Sequence, residues 1–275
     1  MEPIPVLVSG LPGNMALACA RLFEDHPDFA LLPVSLTGQG VEEKFVQVRE
    51  NRIALALPEI HRQALMDWKT RYASLVVVDY THPSAVNANA QLYVDLGIPF
   101  VMGTTGGDRQ KLAQDVEGSG VAAVIAPNMA REIVGFSAMM EFAATHFPGL
   151  FAGYGLTVRE SHQKGKADTS GTARAMVGYF NHMGVEFDPE QIEKTRDPEI
   201  QARELGVPPE HLGGHGWHTY SLVSPDETVL FSFTHNVNGR EVYARGTVEA
   251  ARFLAGKIRD GDPPRIYSMI DVLKQ

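Results

Sequence analysis

The passage from Pro5 to Ser35 constrains this chain more than any other. Pro5-Val6-Leu7-Val8-Ser9 is a short apolar run that reads as a buried strand. A glycine turn follows, and Met15 to Phe23 then carries apolar residues at helical spacing as far as Asp25-His26-Pro27. Phe29 to Ser35 reads as a second strand. Strand, glycine turn, helix and strand in that order make a βαβ unit, whose crossover is right-handed.

The alternation continues. Leu75 to Tyr80, Pro99 to Met102 and Ala122 to Ala126 are further apolar strands, with helical patterns over Ser84 to Leu96 and Asp108 to Glu117 between them. Such a series predicts a doubly wound parallel sheet covered on both faces, an α/β fold of Rossmann type. After about residue 128 the pattern changes. A helix is expected over Ile133 to His146, then strands at Tyr154 to Glu160, Trp217 to Leu222, Thr228 to His235 and Gly239 to Tyr243. The last three read as an antiparallel meander, and Gly246 to Ile258 is again helical. The predicted organisation is a dinucleotide-binding domain of residues 1–128 plus 243–275, with an inserted α+β substrate-binding and oligomerisation domain of residues 129–242.

Gly10-Leu11-Pro12-Gly13-Asn14-Met15 lies between a strand and a helix. Small residues there let the backbone approach a pyrophosphate, and the free N–H groups of the helix start favour its charge. The pattern is looser than G-x-G-x-x-G and by itself is also compatible with an ordinary turn. Val34-Ser35-Leu36-Thr37-Gly38 contains no carboxylate to hold a ribose 2′-hydroxyl. Ser35 and Thr37 are therefore expected to donate to a 2′-phosphate, making NADPH the expected cofactor and NADH the second candidate. Gly103-Thr104-Thr105-Gly106-Gly107 follows another strand, where ligands of doubly wound sheets gather.

The densest chemistry runs from Glu160 to Ala173. Ser170 or Thr169 is placed to cap a helix ending near Met183 and Gly184, which leaves the N–H groups of Gly171 and Thr172 as a carboxylate site. Lys164 and Lys166 add positive charge, and His162 stands four residues before Lys166. A histidine and a lysine beside an anion site suit proton transfer during a reduction. Hydride delivered to an unsaturated carbon leaves charge on its neighbour, and an acid must quench it.

Other clusters carry less. His211, His215 and His218 are spaced through a glycine-containing loop, and no carboxylate or cysteine completes a metal set, so no metal is expected. His215 is a candidate border of the substrate pocket. Arg240 is either a surface charge or a second carboxylate clamp. The single cysteine, Cys19, sits in an apolar helix and reads as core; no intramolecular disulfide is open to it. A formal net charge of -9 argues against nucleic acid as a partner while allowing an anionic small molecule in a local basic pocket. No apolar run approaches the ~18 residues of a membrane span, and the chain opens almost directly on a strand rather than on a signal segment. The expected compartment is the cytoplasm, or the plastid stroma if a transit peptide has been removed. The exposed face of the second sheet is the expected surface of a homo-oligomer, dimer or tetramer.

Together these residues resemble the dihydrodipicolinate (4-hydroxy-tetrahydrodipicolinate) reductase family. The resemblance is carried by Gly10-x-x-Gly13-Asn14-Met15, Val78-Asp79-Tyr80-Thr81, Gly103-Thr104-Thr105-Gly106, Ala126-Pro127-Asn128-Met129, and His162-x-x-x-Lys166-x-Asp168 followed by Ser170-Gly171-Thr172-Ala173. Glu160-Ser161-His162-Gln163 and His235-Asn236-Val237-x-Gly239-Arg240 are closer to its plant-type branch. The resemblance implies reduction of a cyclic imine dicarboxylate to tetrahydrodipicolinate, in lysine and diaminopimelate biosynthesis. It implies His162 and Lys166 as acid/base residues, and Gly171 and Thr172 on a substrate carboxylate. Gly10 to Met15, Gly103 to Thr105 and Ala126 to Met129 would contact the nucleotide. Gln163 stands where the common bacterial motif has a second histidine; it can hydrogen-bond a carboxylate but carries no proton. Asp168-Thr169-Ser170 is one residue shorter than the bacterial Asp-Ala-Pro-Ser. Two other readings fit parts of the pattern: another Rossmann dehydrogenase of amino-acid metabolism, and a non-enzymatic NADPH sensor.

Overall fold

The computed structural model describes residues 2–275. The chain forms two compact units, one running up to Arg131 and completed by Glu241–Gln275, the other Glu132–Arg240. The sequence places these junctions at 128/129 and 242/243.

The first unit opens with β1 (Ile4–Ser9), α1 (Asn14–Asp25), β2 (Phe29–Leu31) and β3 (Val34–Leu36). Next come β4 (Phe45–Val48), β5 (Asn51–Ala56), α2 (His61–Arg71) and β6 (Val76–Asp79). It continues through α3 (Val86–Asp95), β7 (Phe100–Met102), α4 (Arg109–Val116) and β8 (Ala123–Ile125). After α5 (Arg131–His146), the second unit contains β9 (Gly155–His162), α6 (Gly171–His182), β10 (Glu193–Thr195), α7 (Pro198–Arg203), β11 (His215–Val223) and β12 (Leu230–Asn238). The chain then returns to the first unit with α8 (Glu241–Arg259), β13 (Ile266–Tyr267) and α9 (Met269–Leu273).

The main sheet has six strands in the order β13-β8-β7-β6-β1-β2, with every pairing parallel. Val6 to Val8 and Val76 to Val78 are essentially inaccessible, as strands covered on both faces must be. Asp108 caps α4 by accepting from the Lys111 amide, and Cys19 is fully buried in α1.

The stretch expected as one strand, Phe29 to Ser35, is two. Pro33 has no N–H to continue a ladder, so β2 joins the main sheet and β3 pairs with β5 in a separate three-stranded sheet, β3-β5-β4. The expected strand Gly239 to Tyr243 is a bend at Gly239, φ +74, followed directly by the start of α8. Gly246 in that helix has no room for a side chain, since a Cβ there would lie 1.7 Å from the carbonyl oxygen of Met129.

In the second unit the sheet order is β10-β9-β11-β12, antiparallel except for the parallel β10–β9 edge. One face packs Val158, Tyr220 and Leu222 against Met140 of α5 and Met176, Val177 and Phe180 of α6. The alternation of burial along β11 follows from this one-sided packing. Among the described residues, no helix is long and apolar enough to cross a membrane.

Candidate active site

At the glycine turn, Gly10 has φ +106, and a Cβ there would meet the carbonyl oxygen of Tyr80 at 2.3 Å. Only glycine fits. The amide of Gly13 donates back to the Gly10 carbonyl at 2.8 Å and closes the turn. No side chain caps α1, and its first turn holds no acid. The N–H groups of its first turn therefore remain available to an anion. Pro12 and Asn14 are exposed and Leu11 is buried. This turn fits the pyrophosphate of a dinucleotide.

The expectation for Ser35 and Thr37 needs correction. Both are buried, at 0% and 2% exposure. Ser35 Oγ accepts from the Leu11 amide at 3.2 Å, and Thr37 Oγ1 donates to the Leu11 carbonyl at 2.8 Å. They fix the glycine turn from behind instead of reaching a 2′-phosphate.

Asp79, at the end of β6, is a fully buried hub to which the sequence assigned no role. Its carboxylate accepts from the Thr81 amide and hydroxyl, from Asn89 Nδ2 and from the Tyr93 hydroxyl, at 2.6–2.9 Å. The hydroxyl of Thr104 donates to the Thr81 carbonyl at 3.2 Å, so the loops after β6 and β7 are tied together. Thr105 is exposed at the tip, and Gly103 admits no Cβ because the Tyr80 ring lies against it. Of the Ala126-Pro127-Asn128-Met129 segment, Ala126 and Met129 are buried and Pro127 is exposed, while Asn128 Oδ1 accepts from the Ala130 amide. Any contact from Ala126 or Met129 to a ligand would be through backbone.

The second cluster arises from the register of β9 and β11, which sets Glu160 opposite His218 and His162 opposite Gly216. Gly216 leaves the space that the His162 ring occupies; a Cβ there would be 3.0 Å from His162 Cε1. His162 Nδ1 lies 3.1 Å from the His215 carbonyl oxygen, and its Nε2 lies 3.3 Å from His218 Nε2. Gln201 Nε2 donates to the His162 carbonyl at 2.7 Å. The ring of His215 takes the opposite face of the sheet, where Nε2 meets Ser161 Oγ at 2.8 Å. His215 thus supports His162 through its backbone rather than through its ring.

Glu160 is 1% exposed. One oxygen accepts from the Ser170 amide at 3.0 Å, and the other is held by Arg196 Nη2. The Ser170 side chain does not cap α6, although Ser170 occupies the cap position; Thr169 does not cap it either, its hydroxyl meeting Lys194 Nζ at 3.2 Å. The helix start carries no acid in its first turn. Gly171 is exposed and Thr172 half-buried, so their amides stay open to an anion. Lys166 Nζ pairs with Asp168 Oδ1 at 2.9 Å, and Arg196 Nε donates to the Lys166 carbonyl at 2.7 Å. Gln163 is half-buried beside them and Lys164 is exposed.

Burial holds His162 down to about 4, with Glu160 opposing and Arg196 and Lys166 adding to the drop. His218 is pushed well below its ordinary range, first by burial and then by His235. The hydrogen bond from Lys166 lowers Asp168. Both histidines are neutral near pH 7, so the 3.9 Å approach of His218 to Glu160 is not an ion pair. Glu160, His162 and His218 bring ligand-type atoms within 4.8 Å of one another, a trio different from the three histidines of the sequence. Arg196 already neutralises the carboxylate, and the two imidazoles face each other.

The sequence named His162, Lys166, Gln163, Ser170, Gly171 and Thr172 as candidate site residues. It did not assign Glu160, Arg196, Gly216 or His218, which come from strands and loops far along the chain. Arg240 lies beside Gly214, where an added Cβ would be 2.8 Å from its Nη1.

Comparison with known proteins bears on these features. Residues 4–129 match the family model described as dihydrodipicolinate reductase, N-terminus, and residues 133–273 match its C-terminus. The chain is 47% identical over 272 residues to 4-hydroxy-tetrahydrodipicolinate reductase 1, chloroplastic, of Arabidopsis thaliana, covering 99% of this chain and 78% of the relative. It is 46% identical to probable 4-hydroxy-tetrahydrodipicolinate reductase 2, chloroplastic, of Oryza sativa subsp. japonica, covering 98% and 83%. A solved structure of dipicolinate-bound dihydrodipicolinate reductase from Paenisporosarcina sp. TG-14 superposes with a TM-score of 0.66 at 18% identity, covering 98% of this chain and 99% of that one.

Proposed function

We propose that this chain, which belongs to the dihydrodipicolinate reductase family, reduces 4-hydroxy-tetrahydrodipicolinate to tetrahydrodipicolinate in lysine and diaminopimelate biosynthesis. The observation that carries the reading is the uncapped start of α6, whose Ser170 amide is held by the buried Glu160, with Arg196 joining Glu160 to the carbonyl of Lys166. It offers backbone donors and a cation to a carboxylate, on a chain that also carries an open pyrophosphate turn. A sensor has no need of that second site, and a semialdehyde dehydrogenase needs a nucleophilic cysteine, whereas Cys19 is buried.

When bound, the reduced nicotinamide supplies the hydride. The amides of Gly171 and Thr172, with Gln163 and Ser170 near them, orient the substrate carboxylate. The Lys166 ammonium delivers the balancing proton to the atom that gains the electron pair, and it recovers that proton from water. His162 shapes the same pocket as a neutral ring. The backbone of Gly10 to Met15, Gly103 to Thr105 and Ala126 to Met129 holds the nucleotide.

NADPH is the proposed cofactor. With Ser35 and Thr37 turned inward, the reading rests on the absence of a carboxylate after β3, where Thr37-Gly38-Gln39-Gly40 follows. A kcat/KM higher with NADH would overturn it. We also propose a dimer or tetramer built on the outer sheet face, where Thr157, Arg159, Ser232 and Thr234 are exposed; light scattering reads the mass directly. The proposed compartment is the cytoplasm, or the plastid stroma behind a transit peptide.

The deciding experiment supplies the cyclic imine formed from pyruvate and aspartate semialdehyde and follows NADPH absorbance. Oxidation dependent on both components, with inhibition by dipicolinate, is expected. No oxidation with either nicotinamide would sink the proposal.

A further inference from the structure

His218 lies beside the site with no role assigned to it. It is 4% exposed. Its Nε2 lies 3.3 Å from His162 Nε2, its ring stacks on His235 at 4.7 Å, and its Nδ1 is buried with no hydrogen-bond partner among the described residues.

The protons on this pair follow by elimination. The His215 carbonyl can only accept, so His162 Nδ1, 3.1 Å away, carries hydrogen. His162 is neutral, which leaves its Nε2 as a lone pair. If His218 also presented a lone pair, two acceptors would face each other at 3.3 Å. His218 Nε2 therefore carries the hydrogen and donates. Glu160 does not compete for it, because Oε2 is 3.9 Å away and already takes the Ser170 amide. The same tautomer leaves His218 Nδ1 as a bare acceptor, and a buried lone pair without a partner is tolerated better than a buried N–H without one.

We propose that His218 is a positioning residue: its Nε2–H, donated to His162 Nε2, locks the His162 ring in the Nδ1-protonated tautomer and keeps that ring from serving as the proton source. This rests on the reading of His162 as part of the substrate site. The proton for the reduction then leaves the Lys166 ammonium, whose N–H bond breaks as the substrate's new bond to hydrogen forms. The charged and titratable groups facing His162 are Glu160 from β9, Lys166 from the loop after it, Arg196 from the segment after β10, and His218 from β11, with His235 of β12 behind His218; His215 meets it only through its backbone carbonyl. Arg196 and Lys166 reinforce the lock by disfavouring a second proton on His162, and Glu160 works against it.

The test is 15N-histidine NMR of the full chain between pH 5 and 8, with His162→Gln identifying the His162 signals. The wild type should show a protonated Nδ1 and a bare Nε2 that does not titrate in this range. In His218→Ala, water fills the space and can accept a proton from Nε2. His162 should then take up a second proton at a higher pH than in the wild type, because water relieves part of the burial that holds it down. His218→Gln, whose amide can still donate, should restore the wild-type spectrum. A wild-type His162 protonated at Nε2, one titrating near 6.5, or one unchanged by His218→Ala would overturn the proposal. The wild-type spectrum decides even if the alanine variant does not fold. The spectra need no turnover, so a failed imine assay would remove the proposed reaction without touching this result.

Discussion

The guanidinium of Arg196 closes on one carboxylate oxygen of Glu160, while the Ser170 amide donates to the other at 3.0 Å. A carboxylate with 1% exposure is tolerable only with such partners. Arg196→Met should therefore destabilise the chain by about 3–5 kcal/mol, the usual cost of stranding one member of a buried ion pair. Adding Glu160→Gln should recover part of that loss, because the charge left behind is gone. Urea unfolding of the two single variants and the double variant checks this; additive losses would show that the pair is not coupled.

Lys166 precedes the open start of α6 in the loop after β9 and is only partly exposed. Lys166→Ala should lower kcat about a hundred- to ten-thousandfold, the range of a lost general acid. The dissociation constant for NADPH should stay the same. Stopped-flow turnover alongside fluorescence titration separates the two quantities.

The bonds from Ser35 and Thr37 to Leu11 make a distinct prediction about cofactor binding. Thr37→Val removes one buried hydrogen bond, worth about 1 kcal/mol, from the support of the pyrophosphate turn. KM should rise several-fold for NADPH and NADH alike. A loss confined to NADPH would mean that Thr37 meets the 2′-phosphate after all.

Gly216 gives the His162 ring its place. A valine there would drive the ring off the His215 carbonyl, and kcat/KM should fall by about a hundredfold, as expected for a displacement of roughly 1 Å at a reacting site. Nucleotide binding should not change.

Acid should weaken the fold through histidine. His162, His215, His218 and His235 all have their proton affinity lowered, in each case chiefly by burial. The unfolded chain binds these protons below about 6.5 and the folded chain resists them, so folding becomes less favourable as pH falls from 7 toward 5. Above 7 the four groups contribute no pH dependence. Melting temperatures across that interval should drop, and His235→Phe should flatten the slope.

Much of this architecture was legible in the chain. The apolar runs at Pro5 to Ser9 and Leu75 to Tyr80, and the helical spacing from Met15 to Phe23, reflect local periodicity that survives into the fold. Gly10, Gly171 and Thr172 were legible because a turn and a helix start are local events. Phe29 to Ser35 misled because the break at Pro33 sends its halves to different sheets. Ser35 and Thr37 misled because the direction of a side chain at a strand end depends on what packs above it.

The sequence by itself determined the βαβ alternation, the glycine turn and the order of His162, Lys166 and the α6 start, since each depends on neighbours within a few residues. Only the tertiary structure decided that Glu160 meets Arg196, that His162 meets His218 across Gly216, and that Thr37 turns to Leu11. Those contacts are set by strand register and loop return, and a pairing between residues tens of positions apart leaves no periodic trace in either segment.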